Sequence, residues 1–372
     1  MSNQLSDKIS QYWHSIQSNL FPWLAEELGP LSAKQQELVS VLEFSRIEDH
    51  ARPAYWNGPG RPSACRQGMA RAFVAKAVYN LPTTRALIDR LNNDCTLRRL
   101  CGWERVDQVP KEWSFSRAFA EFASKKLGEM VHQDLVKTFL SDKLFGHVSR
   151  DATAIEVREK ALVKPKQPKS KPKRPRGRPK KSDCLAPKEE PKRIERQLKM
   201  TCLSKMLADL PTDCDVASKI NAKGYKHSWR GYKLHIDTVD GDIPVSCILT
   251  SASTHDSQVA IPLATMTQQR IKNCYDLMDA AYDSGLIRYH SIQMGHVPLV
   301  DFNQRSKNDN RCFDPAQKER YKQRSSSERT NSSLKDNYNG SNIRVKGHAK
   351  VMSHLMFGIV ALTVVQIIRL LH

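Results

Sequence analysis

Three acids far apart in the chain, Asp151, Asp279 and Glu328, have the types and settings that phosphate chemistry needs. Asp151 ends the run Leu144 to Asp151, which reads as a strand, and Asp279 ends Tyr275 to Asp279, a short buried strand. Glu328 falls in helix-forming sequence from about Pro315 to Lys335. A sheet brings the ends of neighbouring strands together, so acids distant in sequence can meet. Three carboxylates with no His or Cys partner favour hard cations, Mg²⁺ or Mn²⁺. Two such ions about 3.5–4 Å apart hold a water or a 3′-hydroxyl in line with a phosphorus and neutralise the leaving oxygen.

The surroundings of Glu328 sharpen that reading. Tyr321, Arg324, Glu328 and Lys335 fit the pattern Y-x2-R-x3-E-x6-K. On a helix advancing about 100° per residue they fall within about a sixth of a turn. A metal ligand flanked by two cations and an aromatic ring suits a scissile phosphate and an unstacked base. The alternative is an exposed helix with charged residues.

Net charge names the partner. The 372 residues carry 59 Lys and Arg against 39 Asp and Glu, a formal +20. With a mean hydropathy of −0.56, an integral membrane protein is not expected; the partner is a polyanion, nucleic acid before an anionic membrane surface. The nine cysteines form no C-x-x-C pair, so zinc spacings are missing and free structural thiols in a reducing cytosol are expected. Met1 to Asn19 is polar and reads as no export signal.

Much of the charge is local. Lys164 to Lys199 holds fifteen Lys and Arg against four Asp and Glu, a net +11 in 36 residues, with seven prolines. Such a stretch buries too little apolar surface to offset its ordering entropy, so disorder is expected across 164–199. Inside it, Arg174-Pro175-Arg176-Gly177-Arg178-Pro179 resembles an AT-hook. Gly177 lets the backbone lie on the groove floor, the prolines including Pro179 keep it extended, and Arg174, Arg176 and Arg178 supply cations for the narrow A·T minor groove. A nonspecific tether touching only phosphates is the alternative.

The elements that must position these residues follow from periodicity. Residues 1–140 read mostly as helices: apolar positions recur at helical spacing in Leu20-Trp23-Leu24-Leu28 and Met69-Phe73-Val74-Ala77-Val78. Pro82-Thr83-Thr84 and Pro110 open two more. Arg66, Arg71, Arg98, Arg99, Arg105 and Arg117 on these short helices fit either a helix-turn-helix type DNA reader or a bundle with a basic face. From residue 141 the period changes. Tyr232 to Val239 alternates, Asp240-Gly241-Asp242 turns, and Ile243 to Thr250 returns. A helix from Ser257 to Arg270, the Asp279 strand, a helix from about Ser284, a strand Val297 to Phe302 and helices to the end follow. The order predicts an α/β fold, a mixed sheet with helices on its faces. The apolar run Leu355 to Leu371 is broken by Thr363, Gln366 and Arg369 and reads as a core helix.

The chain resembles the DDE transposases of bacterial insertion sequences, in the group with the Y-R-E-K helix. Ser149-Arg150-Asp151-Ala152-Thr153-Ala154 is similar to the family's first-Asp strand, Trp229-Arg230-Gly231-Tyr232-Lys233-Leu234-His235 to its second strand, and Thr254-His255-Asp256-Ser257 to the end of its third. Leu277-Met278-Asp279-Ala280-Ala281-Tyr282-Asp283-Ser284 resembles the second-Asp strand and turn, and Val300-Asp301-Phe302-Asn303 the next strand. Gly60-Arg61-Pro62, Leu97-Arg98-Arg99-Leu100-Cys101-Gly102 and the Pro110 helix resemble its N-terminal helical domain.

The resemblance implies an RNase-H-like catalytic domain (141–372) after an all-α DNA-binding domain (1–140), with 164–199 looping out. It implies Asp151, Asp279 and Glu328 as ligands of two Mg²⁺ or Mn²⁺ ions, and Tyr321, Arg324 and Lys335 as DNA contacts. It implies cut-and-paste transposition: hydrolysis at the transposon ends, then strand transfer into target double-stranded DNA by a homodimer assembled on the ends. The setting would be cytoplasmic, at a bacterial nucleoid, with no membrane. The 48 residues between Asp279 and Glu328 leave little room for a large β-insertion. Two alternatives remain: a metal-dependent nuclease that does not join, and a non-enzymatic A·T-rich-DNA binder derived from a transposase. Asp283 reads as a helix N-cap, Asp237, Asp240 and Asp242 as structural, His255 and Asp256 as supporting or loop residues, and Trp229 as packing.

Overall fold

A computed structural model describes residues 30–51, 64–162, 191–220, 224–303 and 311–371. The Leu20 to Leu28 pattern, Gly60-Arg61-Pro62 and the Arg174 to Pro179 run lie outside the described residues.

Six strands make one sheet: β1 (Leu144–Glu156), β2 (Asp215–Ile220), β3 (Lys226–Val239), β4 (Ile243–Ser251), β5 (Lys272–Met278) and β6 (Val297–Val300). The order is β2-β3-β1-β5-β6, with β4 also paired to β3. β1, β3 and β4 run antiparallel to one another in turn, whereas β5 and β6 run parallel to β1. This is the mixed sheet of an RNase-H-like fold. The hairpin turn falls at Asp240-Gly241-Asp242 as expected, with Gly241 and Asp242 at positive φ.

Several expectations change. β1 runs on to Glu156 because Ala152 to Glu156 keep pairing with β3, from Ala152↔His235 to Glu156↔Gly231. Asp151 therefore sits inside a strand and not at its end. β2 escaped the sequence reading, since its apolar Val216 and Ile220 point to solvent. The helix around Glu328 is not continuous: helix Pro315–Tyr321 passes through a 3₁₀ turn, Lys322–Arg324, into helix Ser325–Asn337. Disorder was expected up to Lys199, yet Arg193–Lys199 is helical. Counter-charge explains it: Arg196 donates to Asp209 at 2.8 Å, Arg193 lies 3.3 Å from the same carboxylate, and buried Gln197 donates to the Gln258 carbonyl at 3.0 Å.

Each sheet face carries a distinct set of side chains. Arg150, Asp237 and Met278 are register partners across β1, β3 and β5. On their face the Arg150 guanidinium donates twice to Asp237, at 2.8 and 2.7 Å, and Thr267 of helix Ala260–Gln268 donates to the same carboxylate at 2.7 Å. Burial opposes the charge on Arg150, but Asp237 overcomes it and holds the guanidinium protonated. Ser149 and Asp151 point to the other face, where Ser149 Oγ donates to the Arg324 carbonyl at 2.9 Å.

The N-terminal helices do not carry a core of their own. Arg66–Val78, Glu112–Ser124 and Leu127–Leu140 pack on the C-terminal helix His348–Leu371, in one hydrophobic cluster that continues under β1, β3 and β4. That last helix is long and apolar enough to cross a membrane by length and composition, and it lies buried in this core. Its Gly358 lets it approach closely: a Cβ there would come within 2.4 Å of the Tyr338 carbonyl. The six arginines flagged as a possible basic face have partners within the helical region. Arg66 pairs with Glu121, Arg71 with Glu48, Arg99 with Glu104 and Arg105 with Asp107; Arg98 donates to the Leu91 carbonyl, and Arg117 lies over the Trp113 ring.

The buried pair yields a stability prediction. Asp237→Leu strands Arg150 and should cost about 3–5 kcal/mol in urea unfolding, whereas Arg150→Met with Asp237→Leu should recover most of it. Equal losses in the single and double variants would show that the pair is not coupled.

Candidate active site

Strand register brings the first two acids together. Arg150 pairs with Met278 as the last rung of the parallel β1–β5 ladder, and Asp151 and Asp279 are the residues that follow it on the two strands. Asp279 follows the last residue of β5 and caps a 3₁₀ turn, its Oδ1 accepting from the Ala281 amide at 3.0 Å.

The hairpin and the sheet place the third acid. Arg329, next to Glu328, donates twice to Asp242 of the β3–β4 turn, at 2.8 and 2.7 Å. Thr330 donates to the Asp242 carbonyl at 3.1 Å and Ser326 to the Val239 carbonyl at 3.3 Å. Ser149 and Ser327 share a hydroxyl hydrogen bond of 2.9 Å. Helix Ser325–Asn337 is thus fastened across β1, with Arg324 and Asn331 over Asp151. Asn331 donates to Asp151 Oδ2 at 3.0 Å, and an Arg324 amino group lies 3.8 Å from Asp151 Oδ1. Arg324 also donates to Glu328 at 2.7 Å. The Tyr321 hydroxyl donates to the carbonyl of Met278, the residue before Asp279, at 3.1 Å.

Electrostatics tie these groups into one centre. Burial pushes the Asp151 carboxyl up to about 6; Arg324 and the Ala152 amide work against that rise, while Asp279 and Asp256 add to it. Asp279 is also raised, chiefly by burial, with Asp256 adding to it. Burial opposes the charge of Arg324, but Tyr321, Asp151 and Glu328 outweigh it and raise its pKa. Lys335 is half-buried and lowered by that burial, with Glu156, Asp336 and Asp151 pulling the other way.

Two family models match the chain. A family model described as Transposase DDE domain matches residues 201–364, and one described as Transposase domain (DUF772) matches residues 25–121. The chain belongs to the DDE transposases of insertion sequences. No curated protein and no solved structure matches it. The DDE match spans Asp279 and Glu328, and Asp151 precedes it. The transposase therefore acts on DNA by phosphoryl transfer, and its family depends on divalent metal ions.

Part of the donor set fits such an ion. Asp151 and Asp279 offer carboxylate oxygens whose pKa values are raised chiefly by burial, an under-compensated donor pair of the kind that suits a hard cation. Glu328 is turned to Arg324, and among the described residues no three His, Cys, Asp or Glu side chains stand close enough to hold an ion.

The remaining sequence candidates divide cleanly. Asp237 pairs with Arg150, Asp240 accepts from the His147 amide at 2.9 Å, and Asp242 holds Arg329. All three are structural, as read. Asp283 is structural but not a cap: Ser284 holds the cap position, and Asp283 accepts from Arg288 and the Asn303 amide. Trp229 is buried and donates to the Tyr232 carbonyl at 3.3 Å. Asp256 pairs with Lys233 at 3.0 Å while influencing both Asp151 and Asp279. Sequence reasoning missed Asn331 and Arg329. Asn331 was in reach, since it follows Glu328 by one helical turn.

The raised Asp151 carboxyl has a signed consequence. Its folded pKa of about 6 exceeds the ordinary 3.8, so ionisation costs stability as pH rises from about 4 through 6. In chelator-treated protein, Asp151→Asn should stabilise by about 3 kcal/mol above pH 7, at about 1.4 kcal/mol per pKa unit. The gain should vanish below pH 4. Urea unfolding across this range checks it, and a loss of stability at pH 8 contradicts it.

Proposed function

We propose that Asp151, Asp279 and Glu328 are the catalytic, metal-binding triad of this transposase, and that it moves DNA by cut-and-paste. The observation that supports the reading is that Asp151 and Asp279 follow the last rung of the β1–β5 ladder and influence each other electrostatically, with Arg324 bridging from Asp151 to Glu328. Two Mg²⁺ or Mn²⁺ ions held there would activate a water or a 3′-hydroxyl and neutralise the leaving oxygen.

The chain's own residues do the rest. Arg324 stands in for a cation between Asp151 and Glu328, and on DNA binding it is the group that turns to a phosphate near the cut. Tyr321 fixes the end of β5 through the Met278 carbonyl and presents its ring to the DNA. Lys335 adds a second cation on the side of Glu156 and Asp151. Asn331 keeps Asp151 oriented by holding one carboxylate oxygen.

Residues 1–140 bind the transposon ends, 141–372 carry out the chemistry, and a homodimer pairs two ends before joining them to target DNA. The basic segment that starts at Lys164 tethers A·T-rich duplex through Arg174, Arg176, Gly177, Arg178 and Pro179. The protein works at the nucleoid of a bacterial cytoplasm.

A strand-transfer assay with labelled element ends and Mg²⁺ tests the reading. Asp279→Asn and Glu328→Gln should each lower cleavage by at least about a hundredfold, the scale of losing one group that stabilises the transition state, while duplex binding persists. Cleavage that survives Asp279→Asn sinks the triad, and cleavage without joining favours a nuclease. Deleting residues 164–190 should lower duplex affinity and flatten its salt dependence with Mg²⁺-dependent cleavage of short ends intact at low salt. Loss of that cleavage would make the segment part of the catalytic body.

A further inference from the structure

A cavity of about 480 Å³ lies at the seam between the helical region and the C-terminal helix, lined in part by Lys76, Thr83, Thr84, Arg344, Lys346 and Lys350. Lys76 sits in the last turn of helix Arg66–Val78 and is only 7% exposed. Among the described residues its ammonium has no hydrogen-bond or ion-pair partner. The nearby His354 offers no negative charge: burial, with Lys76 adding to it, pushes its pKa down to about 3, and its Nε2 is bonded to the Asn339 carbonyl at 3.0 Å. Burial also takes Lys76 itself down to about 8. Leaving a buried ammonium without a counter-charge is costly, and an anion in the cavity offsets that cost.

Two further features face the same space. Helix Thr84–Asn93 begins at the cavity, with the Thr83 hydroxyl already accepting from the Ala86 amide, so the earlier amides of that turn point out as donors. Glu112 is the only acid among the lining residues, and its carboxylate lies 3.4 Å from Arg85. From Asn337 to His372 the chain has no Asp or Glu, while Arg344, Lys346 and Lys350 fall within seven residues. Those three are exposed and, among the described residues, lack ion-pair partners. They extend the positive surface outward from the cavity. An isolated phosphate needs only an enclosed cradle, whereas a row of cations leading outward matches a chain of phosphates.

We propose that this seam pocket is a second phosphate site, which takes a backbone phosphate of bound duplex DNA away from the carboxylate centre, with Lys76 as its buried donor and Arg344, Lys346 and Lys350 contacting the phosphates beside it. The proposal rests on the reading that the chain binds duplex DNA, and it is independent of which residues form the triad. The pocket joins the two parts of the chain that bind and cut. Asn80 donates to the Asp336 carbonyl at 2.7 Å and Asn339 to the Leu81 carbonyl at 2.7 Å, so a phosphate seated there bears on both the helical region and the end of the Glu328 helix.

The test uses the full chain and a linear duplex cut from the gene's flank, with affinity measured across a salt series. Lys76→Met should reduce the slope of log affinity on log salt by about 0.9, the value of one phosphate contact. Lys350→Gln should do the same from the rim, without touching the core. Acylation of Lys76 by an amine-directed reagent, read by mass spectrometry, should be suppressed by the duplex. A parent chain that binds no duplex overturns this site together with the DNA reading. A parent that binds while both variants keep its slope and affinity overturns this site alone. Protection of Lys76 by inorganic phosphate but not by duplex assigns the pocket to a free phosphate and overturns the DNA assignment.

Discussion

The buried ion pair between Arg150 and Asp237 is the constraint on which the geometry of the proposed triad depends. These two residues are direct register partners in β1 and β3, and their 2.8 and 2.7 Å contacts are out of reach of water. A slip of one residue would carry Arg150 to the opposite face and leave Asp237 buried without its partner, at a cost of several kcal/mol. The same slip would turn Asp151 into the Arg150 side of the sheet. An ion pair that contributes little net stability therefore fixes which way the neighbouring acid points. Because β1 also pairs with β5 as far as Arg150 and Met278, that choice turns Asp151 to the face on which Asp279 influences it.

The third acid is held by a different device. Nothing in the β1 ladder requires Glu328 to come near, and the helix that bears it has few buried apolar side chains, with Leu334 the chief one. Polar contacts take their place: Arg329 to Asp242, Thr330 and Ser326 to backbone carbonyls of the hairpin, Ser327 to Ser149. Such contacts are geometrically demanding and individually worth about 1 kcal/mol, more where charge is involved. The helix is accordingly positioned closely without being driven there by burial. Glu328 projects to solvent, its side chain 59% exposed, and among the described residues Arg324 holds it.

Sequence was most informative where one residue type dominates a physical requirement. The period of Tyr232 to Val239, the Asp240-Gly241-Asp242 turn, and the spacing of Tyr321, Arg324, Glu328 and Lys335 each follow from local geometry, and the order of elements sufficed for a mixed sheet. Long-range compensation was illegible. Arg193–Lys199 looked like more of the basic tether because its partner Asp209 lies in another element. β1 looked finished at Asp151 because the ladder that prolongs it belongs to β3. The Tyr321 to Lys335 pattern was legible as a face but not as a broken helix. The 3₁₀ turn Lys322–Arg324 has no Pro or Gly to announce it; there Tyr321 reaches the Met278 carbonyl while Ser149 takes that of Arg324. The place of Asn331 one turn after Glu328 was legible, but its hydrogen bond to Asp151 exists only once helix and strand are docked.

Charge finally resolves an apparent contradiction in this chain. A protein of net +20 attracts DNA broadly, yet its proposed catalytic centre gathers Asp151, Asp279 and Asp256 within mutual influence, with two of them pushed toward protonation. A phosphodiester approaching that centre in a metal-free protein meets like charge at short range, where screening is weak. Attraction therefore has to come from elsewhere on the surface, and the cut has to wait for cations. The +11 carried by Lys164 to Lys199 supplies more than half of the excess, while Arg324 neutralises only part of the acid cluster. Affinity and chemistry are thus assigned to different residues. On the proposed triad, DNA would be captured without being cut until a divalent ion is bound.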